Sequence, residues 1–325
     1  ISAANSNNIN TLTLDATGAI NFSNNASVFN ALTVESDNGI DVNVNVTTDT
    51  AALAFDADID NGNTDGDDRL DIANNVTLAS ATTLTLDATT GGITFAGAGT
   101  LNANSGVTIN NAVTATVGTL TIDADLNNSG AGTFTNAAAG TVNAGGQILN
   151  ITAADVAISG AINATTINIT DSDGGGIGLG ATEVAGGMRI TGAELQLLTS
   201  TATTELATAG VITVDNISAA NSNNINTLTL DATGVITFSN NASTFNRLTA
   251  ESDAGITLNV GVSVDSGTLT FDADTDNDGT GTFTNAAGAT VVATGQILNI
   301  TAADVSIGAA ANATTINITD SDGGG

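Results

Sequence analysis

The chain has no proline, cysteine, histidine, tryptophan or tyrosine and only one methionine in 325 residues. Its three basic residues are the arginines Arg69, Arg189 and Arg247. The usual general base near neutral pH, thiol nucleophile, Schiff-base amine and imidazole metal ligand are therefore all missing. A chain without cysteine needs no oxidising compartment to fold. Carboxylate chemistry is what remains, and we expect no enzyme.

Basic residues are also too few for an anionic partner. The formal net charge is −30, with 33 acidic residues against 3 basic ones. Nucleic acid and anionic membrane surfaces are bound mainly through lysine and arginine, which are nearly absent here. No apolar run reaches the roughly 18 residues that a membrane-spanning helix needs, and the first residues lack the basic-then-apolar pattern of a secretory signal. We predict no nucleic-acid partner and no membrane insertion, and any export signal would lie outside this sequence.

Long stretches of the sequence occur twice. Residues 1–40 align with 217–256 at an offset of 216, and residues 120–176 align with 269–325 at an offset of 149. The offsets differ by 67 residues, so a block of that size is missing from the second copy. A stack of similar coils tolerates such a loss better than a globular core does, because each coil contacts only its neighbours.

These repeats predict how the chain is organised. We expect one continuous β-solenoid over residues 1–325, with internal repeats at 1–176 and 217–325. The second repeat lacks the equivalent of about 53–119, and residues 177–216 form irregular connecting coils. The sequence starts on the first letter of one repeat and stops where its own first copy continues. We therefore expect a segment of a longer repetitive protein.

Short phrases predict the secondary structure. In "TLTLDA" (11–16), "ALTVES" (31–36) and "ALAFDA" (52–57), apolar and polar residues alternate with period two, which indicates strands with one buried face. Asparagine doublets suit left-handed backbone positions at corners between strands; they lie at 24–25, 74–75, 110–111 and 240–241. The pattern predicts an all-β fold, a single-stranded parallel β-helix.

The spacing of the phrases predicts the size of a coil. Phrases recur at intervals of roughly 14 to 21 residues, which gives about 18 residues per coil and roughly 18 coils. At about 4.8 Å per coil the rod would be roughly 85 Å long. Four intervals separate Leu53 from Leu120, so the missing block is predicted to be four complete coils. Both leucines should then occupy the same angular position.

Two acidic loops are candidate calcium sites. The stretch "DADTDNDGTG" (272–281) contains the D-x-D-x-D-G pattern, in which alternate carboxylates converge on a hard cation and glycine permits the turn. The stretch "DADIDNGNTDGDDRLD" (56–71) is similarly acidic. Neither loop completes an EF-hand, and the alternative is a solvated turn that maintains solubility. The candidate ligands are Asp272, Asp274, Asp276, Asp278, Asp56, Asp58, Asp60, Asp65 and Asp67.

Three further interpretations stay open. Outward threonines in T-x-T pairs resemble the ice-binding face of some β-solenoids, although threonine is simply a good residue for an exposed strand face. Asn-x-Ser/Thr triplets, such as those at Asn150 and Asn168, leave glycosylation open. A polysaccharide-active enzyme would need paired carboxylates in a cleft, commonly with aromatic platforms for the sugar rings. We consider that class less favoured, because tryptophan and tyrosine are absent.

Phrases such as "TLTLDATGAINFSNN" and "TLTLDATTGGITFAGAGTLNANSG" resemble the degenerate repeats of filamentous haemagglutinin-like adhesins of the two-partner-secretion type. These are large bacterial surface proteins whose repeats build right-handed parallel β-helices. The resemblance covers nearly the whole chain and is one of repeat pattern and composition. It implies an extracellular or cell-surface location and an adhesive or scaffolding role. Partners would be other copies of the protein, in filaments or bundles, or a glycan or cell-surface receptor.

Overall fold

The computed structural model describes residues 9–62 and 67–322 and divides into two compact units, Ile1–Ile167 and Asn168–Gly325. Short strands that pair in parallel make up most of both units. The helices of the described residues are the short α1 (Gly192–Gln196) and α2 (Ala219–Ser222). No helix in the described part of the chain is long and apolar enough to cross a bilayer. The predicted all-β parallel β-helix is confirmed.

In the first unit, three strands complete one coil, and three ladders of parallel strands result. The first ladder joins β1, β4, β7, β10, β13, β16 and β18, the second joins β2, β5, β8, β11, β14 and the start of β17, and the third joins β3, β6, β9, β12, β15 and the end of β17. The strands are β1 (Leu12–Ala16), β2 (Ile20–Phe22), β3 (Ser27–Phe29), β4 (Leu32–Ser36), β5 (Ile40–Val42), β6 (Val46–Thr48), β7 (Leu53–Asp56), β8 (Leu70–Ile72), β9 (Val76–Ser80), β10 (Leu84–Asp87), β11 (Ile93–Phe95), β12 (Gly99–Ala103), β13 (Gly106–Ile109), β14 (Val113–Thr114), β15 (Leu120–Asp123), β16 (Thr133–Asn136), β17 (Val142–Ala153) and β18 (Asp155–Ile158).

The second unit repeats this three-ladder plan. One ladder joins β21, β20, β23, β25, β28, β31 and β33, another joins β22, β24, β27, β30, the end of β32 and β34, and the third joins β26, β29 and the start of β32. The strands are β19 (Ile162–Asp171), which contains the boundary between the units, β20 (Ile177–Gly180), β21 (Met188–Ile190), β22 (Leu198–Thr208), β23 (Ile212–Asp215), β24 (Ile225–Ala232), β25 (Ile236–Phe238), β26 (Ser243–Phe245), β27 (Leu248–Ser252), β28 (Ile256–Leu258), β29 (Val262–Val264), β30 (Leu269–Asp272), β31 (Thr282–Asn285), β32 (Val291–Ala302), β33 (Asp304–Ile307) and β34 (Ala311–Asp320).

A coil is longer than the phrase spacing suggested. Leu12 pairs with Leu32, whereas Leu53 pairs with Leu84, so the length of a coil along the first ladder varies from 20 to 31 residues. The predicted coil of about 18 residues is too short, and the first ladder contains seven strands in the first unit. The phrases at 11–16, 31–36 and 52–57 lie a full coil apart on the first ladder, but similar phrases on the other ladders, such as those of β8 and β15, intervene further along the chain. The mean spacing therefore underestimated the coil and overestimated the number of coils.

The 67-residue block is not a whole number of coils. Leu53 lies on β7 of the first ladder, and Leu120 lies on β15 of the third ladder. Eight strand positions separate β7 from β15, which is two coils and two further strands. The prediction of four coils with both leucines at one angular position is therefore wrong. In the second unit Leu269 is the equivalent of both leucines, and it pairs with Leu248 on one side and Leu298 on the other.

Inward-facing apolar residues of successive coils stack into a continuous core within each unit. Leu32, Leu53 and Leu84 are fully buried and occupy matching positions on paired strands. Full burial of each such side chain contributes about 1.5–3 kcal/mol. In the second unit Phe271 packs against Phe238 and Phe283, with ring centroids 6.1 and 5.2 Å apart. Small branched residues and phenylalanine therefore fill the solenoid where tryptophan and tyrosine are absent.

Buried polar side chains hold the corners between strands. Ser252 is fully buried, and its Oγ lies 2.9 Å from the carbonyl oxygens of both Gly255 and Gly234, to either of which its one proton can be donated. Ser36, the equivalent residue in the first unit, donates to the carbonyl of Gly39 at 2.9 Å. Corner backbone groups that no strand can pair are satisfied in this way, which avoids the cost of burying them unpaired.

Asparagine takes the left-handed backbone conformation at several corners. Three of the four predicted doublets contain such a residue: Asn24 (φ 72°), Asn75 (φ 62°) and Asn240 (φ 59°). The doublet at 110–111 contains none. Its two side chains instead contact the preceding coil, through Asp87 and the backbone of Ala88.

Truncation of Phe271 should test the core of the second unit. The substitution Phe271→Ala removes a fully buried ring that packs against two others, and we expect it to lower the free energy of unfolding by about 3–5 kcal/mol. The control Thr270→Ala changes the outward-facing neighbour on the same strand and should stay within about 0.5 kcal/mol of the parent. Urea unfolding followed by circular dichroism measures both. Equal stability of the two variants would contradict the assigned strand orientation.

Candidate metal centres

Outward-facing carboxylates stack in register along one ladder of each unit. In the first unit Asp15 pairs with Glu35, Glu35 with Asp56, and Asp56 with Asp87. In the second unit Asp231 pairs with Glu251 and Glu251 with Asp272. We call these two rows the acidic ladders. Like charges directly opposite one another destabilise a sheet, so each row is a place where protons or cations are favoured.

The acidic ladders alter the acidity of their members. Partial burial raises the pKa of Glu251, and the negative charges of Asp231, Asp272 and Glu205 raise it further. Burial and the charge of Asp253 likewise raise the pKa of Asp231. Burial also raises the pKa of Asp272, although the backbone N–H of Asp274 opposes the shift by donating to its carboxylate. Proton uptake is therefore easier in the folded chain at these positions than in the unfolded chain.

Three loops share the sequence Asp-Ala-Asp and the same backbone turn. We name them the Asp58 corner (56–62), the Asp125 corner (123–132) and the Asp274 corner (272–281). In each, the first aspartate accepts the N–H of the second, and an asparagine three residues further on takes the left-handed conformation. The asparagines are Asn61 (φ 54°), Asn128 (φ 50°) and Asn277 (φ 54°).

A glycine lets the chain return against its own corner. A Cβ atom on Gly281 would lie 1.7 Å from the carbonyl oxygen of Ala273, and one on Gly132 would lie 1.9 Å from that of Ala124. No side chain fits at such a distance. The D-A-D corner is thus a fixed loop that buries its second aspartate.

The Asp125 corner satisfies its buried carboxylate from within. Asp125 is fully buried, and its Oδ1 accepts from the N–H of Ser129 at 3.1 Å and from the Ser129 hydroxyl at 3.0 Å. Its Oδ2 accepts from the N–H of Gly130 at 3.0 Å. Both oxygens therefore have donors from the loop itself.

The Asp274 corner brings three carboxylates together. One oxygen each from Asp274, Asp276 and Asp278 lies within 4.8 Å of the others, and Asp274 is fully buried while the other two are exposed. Oδ2 of Asp274 accepts from the N–H of Gly279 at 3.3 Å and from the hydroxyl of Ser321. Its Oδ1 is buried and has no hydrogen-bond partner. This arrangement offers a cation oxygen ligands of the kind that calcium prefers.

The two exposed carboxylates of the Asp274 corner also accept hydrogen bonds from within the corner. The carboxylate of Asp276 accepts from the N–H of Asp278 at 3.3 Å, and that of Asp278 accepts from the hydroxyl of Thr280 at 2.6 Å. Reduced solvation raises the pKa of Asp276, with a further increase from the charges of Asp278, Asp253 and Asp274, while the N–H of Asp278 opposes the shift. The corner concentrates negative charge without a basic side chain in these contacts.

The Asp58 corner places two buried carboxylates around one hydroxyl. Oδ2 of Asp58 accepts from the N–H and from Oγ1 of Thr90, both at 2.7 Å, and Oδ2 of Asp68 lies 3.2 Å from that Oγ1. A hydroxyl has a single proton, so it can donate to only one of the two carboxylates at a time. Oδ1 of each aspartate is buried without a partner. Thr90 comes from the following coil, 32 residues beyond Asp58.

The other predicted ligands near this corner do not converge with Asp58. Asp60 is exposed and accepts from the N–H of Gly62 at 2.9 Å. Asp67 forms an ion pair with Arg69 at 3.0 Å. Asp65 lies outside the described residues. Among those described, the Asp274 corner is the one place where three such groups approach closely enough for a single ion.

Sequence reasoning missed the acidic ladders and the role of Asp68 beside Thr90. The ladders have a sequence signal, since phrases such as "TLTLDA", "ALTVES" and "ALAFDA" all place an acid at their fifth residue. Strand register turns that shared position into a row. The approach of Asp68 to Thr90 has no comparable signal, because the two residues belong to different coils of unequal length.

Comparison with protein-family models, curated proteins and solved structures finds no match to this chain. A functional inference therefore rests on the composition, the fold, the geometry of the corners and the repeat pattern.

The raised pKa values of the acidic ladder of the second unit predict acid stabilisation. A carboxyl with a raised pKa in the folded state binds its proton more tightly there, so stability is gained as the pH falls from 7 towards the unfolded pKa and is lost as the pH rises again. Metal-free protein at constant salt should therefore melt at a higher temperature near pH 5 than at pH 7. Glu251→Gln should raise the midpoint at pH 7 and flatten this dependence, whereas Asp265→Asn, an exposed charge outside the ladder, should do neither. A midpoint that falls between pH 7 and pH 5 would contradict the assignment.

Proposed function

We propose that this chain is a structural, non-catalytic segment of an extracellular or cell-surface filament or adhesin stalk. The observation that carries the proposal is the in-register pairing of coil on coil, which repeats along all three ladders of each unit. Each added coil extends the stack and buries another set of apolar residues. Length and stability thus grow together, which is the property that a stalk requires.

The distribution of polar groups supports a scaffold rather than an enzyme. The charged surface is organised as repeated rows and repeated corners, and the D-A-D turn occurs three times. A catalytic site is a unique constellation of an acid, a base and a substrate-orienting group. The side chains that usually provide a base or nucleophile near neutral pH are missing from the whole sequence.

The resemblance to filamentous haemagglutinin-like adhesins supports the proposed location at the cell surface. It also supports self-association into filaments or bundles, and a glycan or cell-surface receptor as the adhesive partner. A nucleic-acid partner is disfavoured by charge repulsion, because the chain has 33 acidic residues and only 3 basic ones.

Electron microscopy of the purified chain tests this proposal. We expect elongated objects whose lateral bundling rises when calcium or magnesium is added, because divalent cations neutralise the rows of carboxylates between neighbours. Sodium chloride at matched ionic strength controls for simple screening. Compact particles that are indifferent to cations would overturn the proposal. So would cleavage of a polysaccharide panel that a single aspartate substitution abolishes.

Ice binding is a second candidate, and one row of threonines favours it. Thr213, Thr237, Thr257 and Thr284 occupy matching positions on successive strands of one ladder and face outward in single file.

Thermal hysteresis of the purified chain tests this candidate. Ice binding predicts a measurable gap between melting and freezing points that Thr237→Val with Thr257→Val reduces, whereas Thr89→Val, at an exposed corner, leaves it unchanged. Absence of hysteresis in the parent chain would leave the threonine row as an exposed strand face with good β-propensity.

A further inference from the structure

Two copies of the same corner differ at the residues that decide whether the buried aspartate is satisfied. Residues 123–133 correspond to 272–282 at the offset of 149. Asp276 stands where the first copy has Asn127, and Asp278 stands where it has Ser129. The backbone turn is the same, since the following glycines also share the left-handed conformation, with φ 74° at Gly130 and 82° at Gly279.

The exchange of serine for aspartate removes a donor. In the first copy, the hydroxyl of Ser129 donates to Oδ1 of Asp125. The carboxylate of Asp278 has no proton to donate when ionised, and Oδ1 of Asp274 is left buried without a partner. Burying an unpaired carboxylate oxygen is costly, and the two added negative charges increase that cost. A bound cation would remove both penalties at once.

We propose that Asp274, Asp276 and Asp278 bind a calcium ion, and that the Asp125 corner is the metal-free form of the same loop. The three carboxylate oxygens lie within 4.8 Å of one another, inside the separation of about 5.2 Å between opposite oxygens of a calcium shell. Asp274, the carboxylate at the base of the cluster, is 0% exposed, and its Oδ1 has no hydrogen-bond partner. The ion would supply the partner that Ser129 provides in the other copy.

The same site couples the corner to β34, which lies two strands further along the same ladder. The hydroxyl of Ser321, directly after β34, donates to Oδ2 of Asp274. Asp322 lies close by, because a Cβ on Gly279 would be 3.5 Å from its Oδ2. Calcium at Asp274 would therefore fix residues that lie two coils apart in the second unit. This inference concerns binding by a single chain and does not depend on filament formation.

The test exchanges the differing residues of the two corners. The variant Asp276→Asn with Asp278→Ser gives the Asp274 corner the residues of the Asp125 corner at those positions. Isothermal titration with calcium chloride should show one binding equivalent fewer than in the parent chain. Calcium at about a hundredfold excess over Kd should raise the parent midpoint by about 4 °C if the whole chain unfolds together and by about 8 °C if the second unit unfolds by itself, and the variant should lose that contribution. In chelator the variant should melt no lower than the parent, because two uncompensated charges are gone.

The reciprocal variant keeps the proposal falsifiable whatever the first one does to folding. Asn127→Asp with Ser129→Asp should add one calcium equivalent and lower the midpoint in chelator. Sodium chloride at matched ionic strength should give neither the binding equivalent seen with calcium nor the calcium-dependent rise of the midpoint. The proposal is overturned if the parent binds no calcium, or if the Asp276→Asn, Asp278→Ser variant binds as many equivalents as the parent. Failure of the chain to form filaments would leave these outcomes unaffected.

Discussion

Parallel pairing in register between successive coils is the constraint on which the structure depends. The backbone N–H and C=O groups of each strand are satisfied by the strands of the coils on either side, so the coils must stack with little offset. Matching positions in neighbouring coils then lie directly above one another. Leucine stacks on leucine inside, as at Leu32, Leu53 and Leu84, and the same geometry stacks carboxylate on carboxylate outside, as at Asp231, Glu251 and Asp272. The packing of the core and the repulsion between surface carboxylates therefore have the same origin.

The corners release the register constraint locally. A strand cannot slip without moving its apolar side chains to the outside, but the loop between two strands can vary in length and content. The D-A-D corners show how the chain uses this freedom. The same turn holds a carboxylate at Asp125 with loop donors to both oxygens. At Asp58 and Asp274 one oxygen accepts from a residue of another coil, Thr90 or Ser321, and the other is buried without a partner. Chemistry can thus vary at corners while the ladders stay unchanged.

Much of this fold could be predicted from the sequence, because period-two alternation in phrases such as "TLTLDA" directly reports a strand with one buried face. The length of a coil could not be predicted in the same way. Strands from all three ladders share one pattern, so no phrase identifies its own face, and Leu53 and Leu120 look equivalent although they lie on different ladders. The clustering of Asp274, Asp276 and Asp278 follows from their local spacing, so the sequence predicts it. The pairing of Asp58 and Asp68 around Thr90 depends on how unequal coils align, which spacing along the chain does not encode.

The interchangeability of the three faces has a consequence for how such a protein changes. The second copy lacks eight strands, a number not divisible by three, yet Leu269 still pairs with leucines on both sides. Gain or loss of a number of strands not divisible by three therefore moves every later strand to a different ladder. Each later segment keeps its own internal packing but is rotated by one face about the solenoid axis. A ligand-bearing corner carried on that later segment would point in a new direction without any change to its own residues. Repeat-number variation in a protein of this kind can re-aim a surface feature as readily as it changes the length of the stack.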